Sequence, residues 1–394
     1  MGSLKEHFSR FIEADPERLH FAAHSHHYWP DVTEVAQREA WDLAARRVDD
    51  KWDEVFGSVW TEAQGHVARV LHLPDPKTLA FAPNTHEFYL RILSCLPAGK
   101  VHRILTTDGE FHSFARQTAR LEEDGLVAVT RIATRPFETF TERFAAAASA
   151  EAFDLVYLSQ VFFDSGFAVS GLETIARAAH PSCTVVVDGY HGFMAVETDL
   201  GPIADRIFYL AGGYKYAMAG EGCCFLHAPP GVHPRPRDTG WYAAFFALGQ
   251  GGHAQRGTVP YGEGGARFLG ATFDPTALFR FNAVQRWLGG LGVTVPDIVR
   301  HTRRLQERFV AGLPAGSRLR AADLVVPLAT SNRGQFLTFQ APDAQELHRL
   351  LAAEKLMTDV RGDRLRFGFA LYHDDADVDR GVERIARALG GQAR

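Results

Sequence analysis

TVVVDGYHG, residues 184–192, followed by RIFYLAGGYKY, residues 206–216, decides the fold. Each stretch is a short apolar run rich in β-branched and aromatic residues, and each breaks into a glycine-containing loop. That pattern reads as strands buried on both faces. FDLVYLSQV (153–161) is a third run of the same kind, and GLETIARAAH (171–180) between them has helical spacing. Upstream, Pro30 and Asp31 open a helical pattern, VTEVAQREAWDLAARR, and a second helix covers 58–72. LAFAPNTHEFYLRILSCL (79–96) reads as strand, loop and helix, then comes a strand RILTT (103–107) and a polar helix over 113–123. Strands alternating with helices predict an α/β domain with a mainly parallel sheet wrapped by helices. Downstream, residues 228–265 are rich in Gly and Pro and read as a long loop, which in a compact domain is usually functional or disordered. Beyond Pro275 a long helix leads to a smaller α+β module, with helices near 296–312, 343–354 and 375–389 and strands at 335–340 and 364–371. The expected division is an irregular arm (1–30), a large domain (31–275) and a small C-terminal domain (276–394) that takes in part of the arm.

The 394 residues are 46% apolar with a net charge of −5. Lys and Arg are dispersed, without the basic block or aromatic-basic stripe of a nucleic-acid surface. No apolar run reaches the roughly 18 residues that span a bilayer, so no membrane partner is expected. Cys95, Cys183, Cys223 and Cys224 have neither metal-ligand nor disulfide-framework spacing, which fits reduced thiols and a cytoplasmic location. His20, His24, His26 and His27 are crowded together, yet no Cys or carboxylate cluster accompanies them, and no metal is expected.

The chemistry lies in a pair. Asp188 ends one apolar strand, and Lys215, 27 residues later, lies in the Gly-flanked loop after another. Ends of parallel strands are where ligands bind in such folds. A pyridoxal-phosphate (PLP) site needs this combination: an amine to carry the cofactor as a Schiff base and a carboxylate to keep the pyridine nitrogen protonated. Asn84-Thr85-His86-Glu87 follows a strand and opens a helix, whose free N–H groups and dipole suit a phosphate. Phe111, after TTDGE, is placed to lie on the ring. APNTHE lacks the glycines of a dinucleotide turn, which ranks a nucleotide-binding protein low.

An ordered series of motifs over residues 20–371 resembles the fold-type I PLP enzymes of the aminotransferase class V group, most of all kynureninase and its relatives. DGYH with Asp188 and His191, and GGYKY with Tyr214 and Lys215, carry the resemblance most strongly. HFAAHSHHYWP, NTHEFYLRILS, GEFHS, LSQVFFDSG, FLGAT and LRFGFALYH support it. The resemblance implies a seven-stranded-type sheet and assigns roles by position. Lys215 binds PLP and later moves the α-proton. Asp188 pairs with the pyridine nitrogen, and His191 contacts the phenolic oxygen or phosphate. Phe111 stacks on the ring, Ser159 lies in the cofactor site, His86 and Glu87 occupy the phosphate turn, and Tyr214 gives its hydroxyl to the phosphate. Thr272 reaches a phosphate in the partner subunit, which implies a homodimer with its site at the interface. Arg366 grips the carboxylate of an amino-acid substrate, and the arm around Ser25 and His26, with Trp241, borders the substrate. An aromatic lid of Trp241, Tyr242, Phe245 and Phe246 is a further expectation. Two departures stand out. Glu87 stands in a turn that usually carries small hydroxyl residues. GATFDPTALF (270–279) lacks the Asn with which kynureninases recognise their ring, so kynurenine hydrolysis is one option among several. The family's reactions leave open a kynureninase-like hydrolase, a transaminase (transferase), a β-eliminating lyase or an epimerase. A PLP-fold binding protein without catalysis ranks below these. No Cys follows Cys224, which argues against a desulfurase with a persulfide-forming Cys.

Overall fold

The computed structural model describes residues 2–245 and 258–389. Its centre is a seven-stranded sheet of β1 (Leu79–Ala82), β2 (His102–Thr107), β3 (Val127–Ile132), β4 (Leu155–Ser159), β5 (Thr184–Asp188), β6 (Ile207–Gly212) and β7 (Cys224–His227). The strand order is β1-β7-β6-β5-β4-β2-β3. Only β7 runs against its neighbours. The mainly parallel seven-stranded sheet expected from the sequence is therefore present. β4, β5 and β6 are almost wholly apolar because helices cover both faces. β3 is less legible in the sequence: it is the edge strand, and of VAVTRI only Val127 is buried.

The helices that position the site are α1 (Val32–Arg47), α2 (Trp60–Leu71), α3 (Thr85–Cys95), α4 (His112–Glu123), α5 (Phe140–Ala150) and α6 (Leu172–Ala178). Asn84 caps α3, its side chain accepting the Glu87 N–H at 3.0 Å, so the chain turns sharply from β1 into the helix. α7 (Thr276–Gly290) and α8 (Val295–Gly312) follow, with Thr294 and Asp297 forming a capping box. The small sheet consists of β8 (Phe336–Gln340), β9 (Asp359–Arg361) and β10 (Arg364–Gly368), backed by α9 (Ala344–Ala353) and α10 (Asp375–Leu389).

Two cores form. Phe279, Phe281, Val284 and Ile298 join the large one, whereas Leu305 and Phe309 belong to the small one. By packing, we propose that the small domain begins within α8, with α7 serving the large domain. The arm is more ordered than its sequence suggests. Ser9–Glu13 is helical, and Leu19–His20 pairs in parallel with Leu356–Met357. Leu19 and Phe21 thereby enter the small core. A two-residue strand is too short to display a period, so its register depends wholly on the distant segment it meets.

Candidate active site

The C-terminal ends of β1, β2, β4, β5 and β6 open into one cavity, lined by Asn84, Thr85, His86, Phe111, Ser159, Asp188, Tyr190, His191, Tyr214 and Lys215, among others. The cavity spans the place where β2 and β4 adjoin, at which the connections to the next strands turn in opposite directions. In open α/β sheets that switch point is the usual ligand crevice.

Lys215 is 4% exposed, and its Nζ lies 2.8 Å from His191 Nε2. The rings of Tyr190 and Phe111 stand 4.8 and 5.4 Å from the amine. Burial drives its pKa down to about 7; Asp188 opposes the shift and Arg366 adds to it. Near neutral pH a large share of this amine is therefore uncharged and nucleophilic. The glycines of GGYKY permit the close approach: a Cβ on Gly212 would sit 2.2 Å from the Tyr190 hydroxyl oxygen.

Asp188 is set by register. It pairs with Ser159 on one side and Leu210 on the other. Its carboxylate accepts the Tyr190 N–H at 2.9 Å and the Tyr157 hydroxyl at 2.8 Å. Burial pushes its pKa up, against the pull of these two bonds and of Lys215. Burial also holds His191 well below the ordinary imidazole range, with the Lys215 charge adding to the effect. His191 is thus a neutral ring between the Lys215 amine and the backbone carbonyl of His24, to which it also hydrogen-bonds.

Phe111, Ser159, Tyr214 and His86 all reach the cavity wall. Glu87 does not. One of its carboxylate oxygens meets Arg91 at 2.6 Å along α3 and the other accepts the Asn84 side-chain N–H at 3.2 Å, so its charge is paired beside the turn that opens α3. The arm does approach the site, since the His27 N–H donates to the Tyr214 carbonyl at 3.1 Å and His26 stacks on the Tyr214 ring at 5.0 Å. Ser25 and His26 lie outside the cavity wall, with the Ser25 hydroxyl 3.2 Å from His26 Nδ1. Arg366 is buried just behind the wall. Trp241 and Thr272 are brought together instead of to Lys215: the indole N–H donates to the exposed Thr272 hydroxyl at 3.2 Å. Tyr242 packs edge-on against Trp52 and Phe56, away from this cavity, so it forms no lid over its own chain's lysine. Phe246 lies outside the described residues. Among the described residues, no group of three or more His, Cys, Asp or Glu side chains is placed to hold a metal, and no helix is long and apolar enough to cross a membrane.

Two residues went unnoticed in the sequence. Tyr157 lies two positions before Ser159 on β4, the spacing that puts both on one face of a strand. Glu110, just before Phe111, is wholly buried and ties β2 to β4. It accepts the Thr107 hydroxyl (2.7 Å), the Ser159 N–H (3.1 Å) and the Ser159 hydroxyl (2.6 Å). Burial raises its pKa to about 7, against the pull of these bonds. A carboxyl whose folded pKa lies above its unfolded value binds more protons in the native state, so its contribution to stability falls as pH rises. Stability is fully present below the unfolded pKa of about 4.5 and declines until about pH 7. Glu110→Gln is expected to flatten that decline, read from melting temperatures of both proteins across this window. An unchanged profile would contradict the assignment.

Comparison with known proteins agrees with the fold. The family model for the kynureninase C-terminal domain matches residues 298–385. A kynureninase from Deinococcus radiodurans is 29% identical over 273 residues, covering 67% of this chain and 62% of that protein. An isopenicillin N epimerase from Streptomyces clavuligerus is 29% identical over 202 residues, or 48% of each protein. The chain thus spans less than two thirds of either relative's length. Among solved structures, a mutant of the lyase C-DES with glycine covalently linked to its PLP cofactor superposes with a TM-score of 0.79. It is 15% identical, and the match covers 96% of this chain and 98% of that one. The apo cysteine desulfurase of Thermococcus onnurineus NA1 gives a TM-score of 0.78 at 16% identity, with both chains fully covered.

Proposed function

We propose that this chain, which shares its fold with PLP-linked enzymes, is a PLP-dependent enzyme of the fold-type I, class V group that acts on an amino-acid substrate through Lys215. The observation that carries this reading is the buried Lys215 amine, with a pKa near 7, in one cavity with the Asp188 carboxylate.

The residues present fit the cofactor. Phe111 offers an aromatic face, Asp188 a carboxylate fixed by two donors, and α3 an N-terminus at the opposite wall. The Glu87 amide is taken by Asn84, while the amides before it in α3 have no acceptor within the helix. Bound PLP supplies an electron sink for charge that develops at the substrate α-carbon. Asp188 would keep the ring nitrogen protonated, and Tyr157 and the Tyr190 amide hold its two oxygens in place. Tyr214 and the first turn of α3 would take the phosphate, and Ser159 stands beside Asp188. Lys215 would hold the cofactor and would move the proton at the substrate α-carbon, with neutral His191 against its Nζ. Arg366 takes the α-carboxylate.

The kynureninase and epimerase relatives frame the outcome. Kynureninase-like hydrolysis of a Cβ–Cγ bond and class V aminotransfer are the leading reactions; epimerisation and β-elimination begin from the same proton removal at Lys215. Trp241 and Thr272 lie away from their own chain's cavity, which favours a homodimer in which they serve the partner's site. Sedimentation of the purified protein measures this.

The test is spectroscopic. Added PLP is expected to give a visible absorption band. Its rate of formation should rise through about pH 7 and level off above it, because only the neutral amine attacks. A screen of amino acids with product identification then selects the reaction. Absence of a band after PLP addition would remove the basis for the whole reading.

A further inference from the structure

Arg366 is held in an unusual way. It lies on β10 directly opposite Asp359 of β9, and an antiparallel pair places both side chains on one face. Its Nη2 donates to Asp359 Oδ2 and its Nη1 to the Phe163 carbonyl, while its Nε–H has no acceptor although the side chain is buried. Arg361 Nη1 donates to the other Asp359 oxygen at 2.7 Å. His24 stands behind the carboxylate, with Nε2 3.6 Å from Asp359 Oδ2. This ring is 0% exposed and stacked on Phe336 at 4.6 Å, and Asp359 is the polar group that its Nε2 faces. Although burial opposes ionisation of Asp359, His24 and Arg366 hold its carboxyl well below the ordinary range.

A buried guanidinium N–H without an acceptor is costly and points to a missing ligand. The location fits one. The guanidinium lies 5.8 Å from both the Phe163 and Phe336 rings. Phe163 packs edge-on against Phe111 at 5.5 Å, and Phe336 lies 5.6 Å from His191. Arg366 is thus one aromatic ring behind the Lys215 cavity.

We propose that Asp359, backed by His24, is a positioning residue that holds Nη2 of Arg366 and leaves its Nε–H for the substrate carboxylate. This rests on the PLP reading above. It also singles out His24 within the histidine-rich arm, in place of the exposed His26. Asp359 and His24 act through Arg366 and need not touch the substrate.

The experiment compares glycine with methylamine, the same reactive amine without a carboxylate. Both are titrated into the PLP-loaded full-length chain, with the visible spectrum as readout. Asp359→Ala is expected to raise the apparent Kd of glycine about tenfold or more, while methylamine changes by less than about twofold. Asp359→Asn, which keeps the shape, should lose less and guards against a misfolded alanine variant. Combining Asp359→Ala with Arg366→Leu should cost no more than Arg366→Leu alone, because both remove one interaction. Equal losses for the two amines, full additivity, or no loss for glycine in either Asp359 variant would overturn the proposal and leave the PLP reading standing. A wild-type chain that responds to neither amine would overturn that reading, and the proposal with it.

Discussion

Lys215→Ala is expected to lose the visible band with PLP and to lower turnover by at least about 10³-fold, as removal of a covalent nucleophile generally does. The fold should survive. A lysine whose native pKa of about 7 lies below its unfolded value binds fewer protons when folded, between pH 7 and its ordinary 10.5. Stability of the wild-type apoprotein therefore rises with pH across that window, and the penalty of burying the amine is fully present below it. Lys215→Met, close in volume and uncharged, should accordingly melt higher than wild type at pH 7, with the advantage shrinking towards pH 10. Such a variant, stable yet colourless with PLP, separates lost chemistry from lost structure. A variant that stays coloured and active would place the carrier amine elsewhere.

The second large effect is expected at Asp188. Asp188→Ala should keep the colour that depends on Lys215 and still lose about 10²–10³-fold in turnover, the scale for removing one preorganised electrostatic contact at a reacting centre. Asp188→Asn retains an acceptor for the Tyr190 N–H, now 2.9 Å away. It has no charge with which to keep a ring nitrogen protonated, so its turnover should fall nearly as far. The loss should appear in kcat more than in KM, because the role proposed for Asp188 acts on charge that develops during the reaction. Full turnover in the Asn variant would mean that the carboxylate is merely a strand cap. Tyr157→Phe, which removes the hydroxyl 2.8 Å from Asp188, should produce a smaller loss of the same kind.

Much of this was legible in the chain itself. Apolar runs that stop at Asp188 and at GGYKY announce buried strands with chemistry at their ends, because a charged side chain inside such a run would otherwise be stranded in the core. Asn84 three residues before Glu87 marks a capped helix start, since local hydrogen bonding needs no distant partner. β3 and the Leu19–His20 strand were not legible, because an edge strand and a two-residue pairing lack the pattern that burial imposes. Glu110 carries no signal in the sequence, because its three donors come together only where β2 meets β4.

By itself the sequence determined that Lys215 and Asp188 end apolar strands, and that a helix N-terminus and an aromatic residue precede them in order. Only the tertiary structure decided that Tyr157 steadies Asp188, that Glu87 pairs with Arg91, and that His24, Asp359 and Arg366 form one buried group behind the cavity. The physical reason is separation along the chain. A local pattern reports which face of an element is buried. Which side chains from residues 24, 188 and 366 share that buried space depends on strand order, register and the docking of the arm, and these are set by contacts between distant segments.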